Sequence, residues 1–148
     1  MNMKPELLRK MLANEALGGI YHLPSSGIES LQKAAESLDF ACIRIDLRES
    51  GDITSVLARL GESLGFPPWY GANLDALNDC LTDFSWLEAP GYVLIISGGD
   101  TLHAQGEPFA QINQVFSAAS QEWQSQHVPF WVFYDMRADG LATLPTLT

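Results

Sequence analysis

Asp75, Asp79 and Asp83 recur at every fourth position of the segment Pro67-Pro68-Trp69-Tyr70-Gly71-Ala72-Asn73-Leu74-Asp75-Ala76-Leu77-Asn78-Asp79-Cys80-Leu81-Thr82-Asp83-Phe84. The segment reads as an aromatic loop running into a helix. Like charges at i, i+4 on a helix repel by roughly a few tenths of a kcal/mol per pair. No Lys or Arg lies between residues 60 and 136 to relieve the repulsion. Carboxylates kept together in this way suit charge-assisted hydrogen bonds to Arg, Lys or His⁺ of something positively charged.

The helix that must position them is expected to begin near Asn73, a residue type whose side chain caps a free backbone N–H of the first turn. Asp75 then lies in that first turn, where the helix dipole favours a carboxylate. Asp79 and Asp83 lie further along and are not explained that way. Leu74, Leu77 and Leu81 share the inward face. The aspartates occupy the outer side, with Asn78 and Thr82 between them. Pro67-Pro68 stiffen the loop that carries Trp69 and Tyr70, and Gly71 is expected to permit a backbone turn that a Cβ would oppose. Phe84 and Trp86 follow the acids. Rings on both sides of an acidic ridge resemble a protein-binding hot spot, in which aromatics exclude water around charge pairs. A solvated acidic face with partly buried aromatics would carry the same residue types.

The whole chain has 148 residues, 47% of them apolar, which suits one domain with a sizeable core. Its net charge of −10 argues against nonspecific nucleic-acid or anionic-membrane binding and for cationic partners. The charge is uneven. Residues 1–59 hold eight acids and seven bases, whereas residues 60–136 hold nine acids and no Lys or Arg. Cys42 and Cys80 sit in apolar contexts and read as buried free thiols. No apolar run is long enough to span a membrane, and the N-terminus lacks a signal-peptide h-region. A reducing cytoplasmic setting is expected.

Along the chain, Pro5–Leu17 reads as a helix, 19–23 as a short strand, and the run from Ser26 to Leu38 as a second helix. Phe40–Leu47 alternates as a strand. Asp52 caps a helix with the buried stripe Ile53, Val56, Leu57, Leu60 and Leu64, stopped by Gly65. Tyr92–Ile96 is continuously apolar, as in a strand covered on both faces of a parallel sheet. Pro108–Trp123 is a long amphipathic helix and Phe130–Tyr134 the last strand. Residues after Met136 lack periodicity and read as a loose tail. Strands separated by helices imply parallel crossovers and an α/β layered domain.

The run Tyr70-Gly71-x-Asn73-Leu74-Asp75-Ala76-Leu77-x-Asp79-Cys80-Leu81 resembles the signature of the barstar family, small intracellular inhibitors of bacterial ribonucleases. The order of elements from Ala41 to Met136 matches that family as well. The resemblance implies a three-layer α/β fold with a parallel sheet of three or four strands flanked by helices. Residues 1–40 would be an N-terminal extension, 41–136 the barstar-like core and 137–148 the tail of a single domain. Family members block a ribonuclease by laying this helix and its preceding loop into the active site. Asp75 and Asp79 would then contact groups that normally hold substrate phosphate, with Trp69, Tyr70, Gly71, Asn73, Asn78, Asp83 and Phe84 around them. Negative charge would also speed encounter, the barnase–barstar pair being the standing example of such steering. The resemblance implies no enzyme activity, cofactor or metal, and no direct nucleic-acid contact; a monomer is favoured.

Three departures bear on the target. Asn78 stands where the family prototype carries a tryptophan. Ser117-Ala118-Ala119 stands where it carries an acidic contact, and about forty residues are added at the N-terminus. Asp83 is an additional acid. One alternative is therefore an interaction module for another basic partner, such as a DNase-type toxin. The other is a Mg²⁺-dependent enzyme, since Asp46, Asp100 and Asp135 fall at the C-terminal ends of expected strands, where α/β sheets bind ligands. Against the enzyme, no phosphate-binding Gly-rich loop, zinc spacing or G-x-S-x-G elbow is present.

Overall fold

The computed structural model describes residues 4–135. Six α-helices and four strands follow one another along them, every strand separated from the next by one or two α-helices: α1 Pro5–Leu12, β1 Gly19–Leu23, α2 Ile28–Ser37, β2 Ala41–Asp46, α3 Ile53–Leu64, α4 Leu74–Leu81, β3 Tyr92–Ser97, α5 Gly99–Ala104, α6 Glu107–Ser125 and β4 Phe130–Asp135. The four strands form one sheet in the order β1-β4-β3-β2, with every neighbouring pair parallel. This is the expected three-layer α/β architecture, with four strands.

The strand order explains the layers. The chain crosses the whole sheet from β1 to β2, then returns through β3 to β4. Parallel crossovers keep one hand, so reversing direction sends the later helices to the opposite face. On one face α1 and α2 bury Leu8, Leu12, Leu31 and Ala35 against Val93, Ile95, Trp131 and Phe133. On the other, α3, α4 and α6 bury Leu60, Leu77, Leu81, Ile112 and Phe116 against Leu94, Ile96, Val132 and Tyr134. Successive residues of β3 and β4 thus point into two different cores, which is why both strands are buried and apolar up to their last residues, Ser97 and Asp135. The N-terminal residues supply one edge strand and the whole second helical layer. Trp131 ties that layer down by donating its indole N–H to the Leu12 carbonyl at 3.1 Å.

Local signals behave as their chemistry requires. Asp52 caps α3 by accepting from the Ser55 N–H at 2.8 Å, and Gly65 ends it in the left-handed conformation at φ 66°. The expected helix over Pro5–Leu17 is shorter than its periodicity suggests. It stops at Leu12 because Asn14 takes an extended conformation and accepts from the Ala16 N–H, capping a separate 3-10 turn over Glu15–Leu17. After β3, Gly98 in the left-handed conformation at φ 87° is the N-cap of the short α5. The stretch read as a loose tail, 137–148, lies outside the described residues.

Both cysteines are free; Cys80 is buried and Cys42 half-buried. Burial raises each thiol to about 11, with nearby carboxylates adding to the effect. Among the described residues no helix is long and apolar enough to cross a membrane.

Candidate protein-binding site

Helix α4 starts where its cap predicts. Asn73 Oδ1 accepts from the Ala76 N–H at 2.8 Å, and the Asn73 carbonyl accepts from the Leu77 N–H at 2.9 Å. Leu77, Cys80 and Leu81 are fully buried, which fixes the helix face. Its far end is clamped by α6, because the Trp123 indole N–H donates to the Leu81 carbonyl at 2.7 Å. That bond satisfies one of the carbonyls a helix C-terminus leaves open.

Asp75 and Asp79 are exposed on the outer side of α4. Asp83 is exposed too, but it lies beyond the helix. Thr82 is the C-cap, and the Asp83 and Phe84 N–H groups both reach back to the Cys80 carbonyl. Only one i, i+4 acidic pair therefore sits within the helix, so the repulsion inferred from three aspartates in a row is halved. Among the described residues none of the three aspartates forms an ion pair.

The aromatic frame divides differently from the sequence expectation. Trp69 is 58% exposed and lies next to the ridge in the chain. Tyr70 is half-buried and belongs to the scaffold: its hydroxyl donates to the Leu57 carbonyl of α3 at 2.7 Å, and its ring meets Phe66 edge-on at 4.7 Å. Burial pushes the Tyr70 hydroxyl up to about 12. Phe84, expected on the contact surface, is fully buried among Phe66, Trp86, Tyr92 and Trp123. It holds φ at 47°, a conformation that bulky residues rarely adopt. The aromatic cluster holds the ring in place there. Trp86 is also drawn inward, donating to the Leu64 carbonyl at 3.1 Å. The turn expected at Gly71 falls one residue later, since Ala72 takes the left-handed conformation at φ 51°. A Cβ at Gly71 would stand 3.0 Å from Asn73 Nδ2, so this glycine gives the capping side chain room.

Gly61 carries a structural role that its position in the last turn of α3 does not announce. A Cβ there would stand 2.5 Å from the Tyr70 ring. Glycine costs a helix about 1 kcal/mol relative to alanine, and here it provides the seat on which the loop docks. Gly61→Ala should gain that amount but incur about 1–3 kcal/mol of overpacking and lose the Tyr70 hydrogen bond, worth about 1 kcal/mol. The expected net effect is destabilisation, read as a lower urea midpoint. Alkaline titration checks the same contact. Protonated Tyr70 is favoured in the fold, so the unfolded chain ionises first and stability should fall as pH rises from 10 towards 12. Tyr70→Phe should show a shallower fall in thermal melts over that range.

Sequence reasoning missed a groove of about 340 Å³ between α4 and α6, lined by Asn78, Thr82, Ala118 and Glu122. Glu122 follows Ala118 by four residues on α6, and that spacing was its only signal.

Of the three carboxylates expected at strand ends, Asp46 and Asp135 are committed elsewhere, and Asp100 is exposed in the first turn of α5. Asp46, Ser97 and Asp135 stand in register across the sheet. Asp46 accepts two bonds from the Arg48 guanidinium, at 2.7 and 2.9 Å, which hold its carboxyl far below the usual range. Asp135 accepts from the Ser25 hydroxyl at 2.7 Å. Among the described residues no three His, Cys, Asp or Glu side chains gather as a metal site.

A family model described as Barstar (barnase inhibitor) matches residues 40–135. The chain belongs to the barstar family. The matched span runs from the start of β2 to the end of β4 and contains α4, its loop and the α6 clamp, whereas α1, β1 and α2 precede it. Among solved structures, this barstar-family chain is similar to the Aeropyrum pernix ORC2 protein, solved in ADPNP and ADP complexes. The TM-score is 0.62 at 11% identity, over 93% of this chain and 41% of that one. At that identity the likeness concerns the fold alone, and the chain spans less than half the length of that protein. No curated protein matches the chain.

Proposed function

We propose that this barstar-family protein is a non-enzymatic inhibitor that occludes the cationic active site of a ribonuclease with α4 and the preceding loop. The observation that carries the proposal is the exposed pair Asp75 and Asp79 on a helix fixed at both ends, with exposed Asp83 just past its C-cap, none of the three paired with a cation among the described residues, and the exposed Trp69 on the preceding loop. A site that binds RNA phosphates must present Arg, Lys or His⁺, and carboxylates can replace the phosphates in charge-assisted bonds. Asp79 is the electrostatic centre and Asp75 its neighbour. Trp69, Asn73, Gly71 and Asn78 shape the surface, with Tyr70 as its support. The protein acts as a cytoplasmic immunity protein to a toxin and does not bind RNA itself.

The test is a titration of RNA cleavage by a basic nuclease captured from the host. Inhibition should be complete at one equivalent. A captured nuclease that continues to cut RNA when saturated would overturn the proposal. The open groove at Asn78 and Ala118 favours a second reading, in which the target is a different basic nuclease such as a DNase-type toxin. Protection of DNA but not RNA in the same titration would select it.

A further inference from the structure

The two edges of the sheet differ in chemistry. Charges, Pro or a covering element protect an edge strand from pairing with another chain. The β2 edge carries exposed Arg44 and Asp46. The β1 edge, Gly19-Ile20-Tyr21-His22-Leu23, has no Asp, Glu, Lys, Arg or Pro. Among the described residues β1 has a strand on one side only. Helix α6 packs over β1 and β4, and a trough lies between α6 and the start of β1. It consists of two cavities, of about 460 and 340 Å³, that share Ile20 and Ser117. None of the residues lining them is an Asp, Glu, Lys or Arg. Exposed Ala110, Gln114, Ser117, Gln121 and Gln124 form its α6 flank, spaced three or four residues apart. On a chain of net charge −10, this surface is neutral.

We propose that the β1 edge pairs with the same edge of a second copy, antiparallel about a two-fold axis, and joins two four-stranded sheets into one of eight strands. A two-fold interface meets itself, so its chemistry must be self-complementary. Carboxylates fail that requirement, and the acidic surfaces of two such chains repel. The β1 edge meets it, because antiparallel strands exchange N–H···O bonds in both directions. The α6 flank meets it as well, since a glutamine amide and a serine hydroxyl are each both donor and acceptor. With the axis normal to the sheet, the two α6 helices lie on the same side and face each other across the joined strands. β1 precedes the family-matched residues 40–135, so the monomer expected from the resemblance does not bear on this edge. α4 packs on the other flank of α6, at Ala118 and Glu122, so the acidic ridge stays open in both copies. The dimer is independent of the inhibitor reading.

Sedimentation equilibrium of the intact protein tests the proposal. The wild type should approach twice the chain mass as concentration rises. The double variant Gln114→Glu, Gln121→Glu sets like charges against their own copies and should dissociate the dimer by about a hundredfold or more. Its circular dichroism should match the wild type, because both positions are exposed. The double variant Gln114→Lys, Gln121→Lys should behave in the same way. Mixed in equal amounts, the two variants should form the dimer that neither forms alone, which separates a lost interface from a lost fold. A wild type still monomeric at about 1 mM, a weak limit for a specific contact, would overturn the proposal, whether its edge is bare or covered by another protein. So would a dimer that the Glu pair leaves intact, or a mixture of the two variants that stays monomeric.

Discussion

Asp79→Ala is expected to weaken binding of the target ribonuclease by about 2–5 kcal/mol, because a desolvated cation on the enzyme would be left without its counter-charge. The structure distinguishes Asp79 from its neighbours. Asp75 sits in the first turn, where part of its value is to the helix itself. Asp83 lies past the helix end. Asp79 has no such local role, so its removal should leave folding almost unchanged and fall on affinity. The effect should be read as a ratio of inhibition constants in an RNA-cleavage assay, beside an unchanged denaturation midpoint. The association rate of the wild type should also fall as salt is raised, since exposed charges steer encounter over a Debye length. Equal inhibition by the variant would remove Asp79 from the mechanism.

Phe84→Ala should have the opposite profile. The ring is fully buried and touches four other aromatics, so its loss is expected to destabilise the fold by about 3–5 kcal/mol. The part of the population that remains folded should bind the target almost normally, because Phe84 presents nothing to the surface. Trp69→Ala supplies the contrast. Its ring is largely exposed, so stability should shift by no more than about 0.5 kcal/mol, while affinity falls by more than about 1 kcal/mol if the ring anchors the partner. Denaturation curves and binding measured on the same two variants separate a core ring from a contact ring. A Phe84 variant that is stable but binds poorly would restore this residue to the interface.

These two phenylalanine and tryptophan positions show where sequence reasoning is strong and where it stops. Helix caps and stops at Asn73, Asp52 and Gly65 were legible because their chemistry is local. So were β3 and β4, since a continuously apolar run bounded by Gly and Pro has few homes other than a sheet covered on both faces. The burial of Phe84 was not legible. Its left-handed backbone and its inward ring are imposed by Phe66, Tyr92 and Trp123, which are distant in the chain. The same applies to Gly61, whose reason is the Tyr70 ring, and to Asp83, whose helical spacing continues after the helix has ended. The groove at Asn78 could not be seen either, because half of it comes from α6. Local chemistry identified the carriers of charge, and tertiary packing decided which rings accompany them.

The central claim is that α4 occupies the place of RNA phosphates on a ribonuclease. Competition between this protein and a mononucleotide for the captured enzyme tests it most directly. The apparent dissociation constant of the protein should rise in proportion to nucleotide concentration without limit, as mutually exclusive binding requires. A dissociation constant that levels off, or a stable ternary complex of protein, enzyme and nucleotide, would place α4 away from the active site and contradict the account.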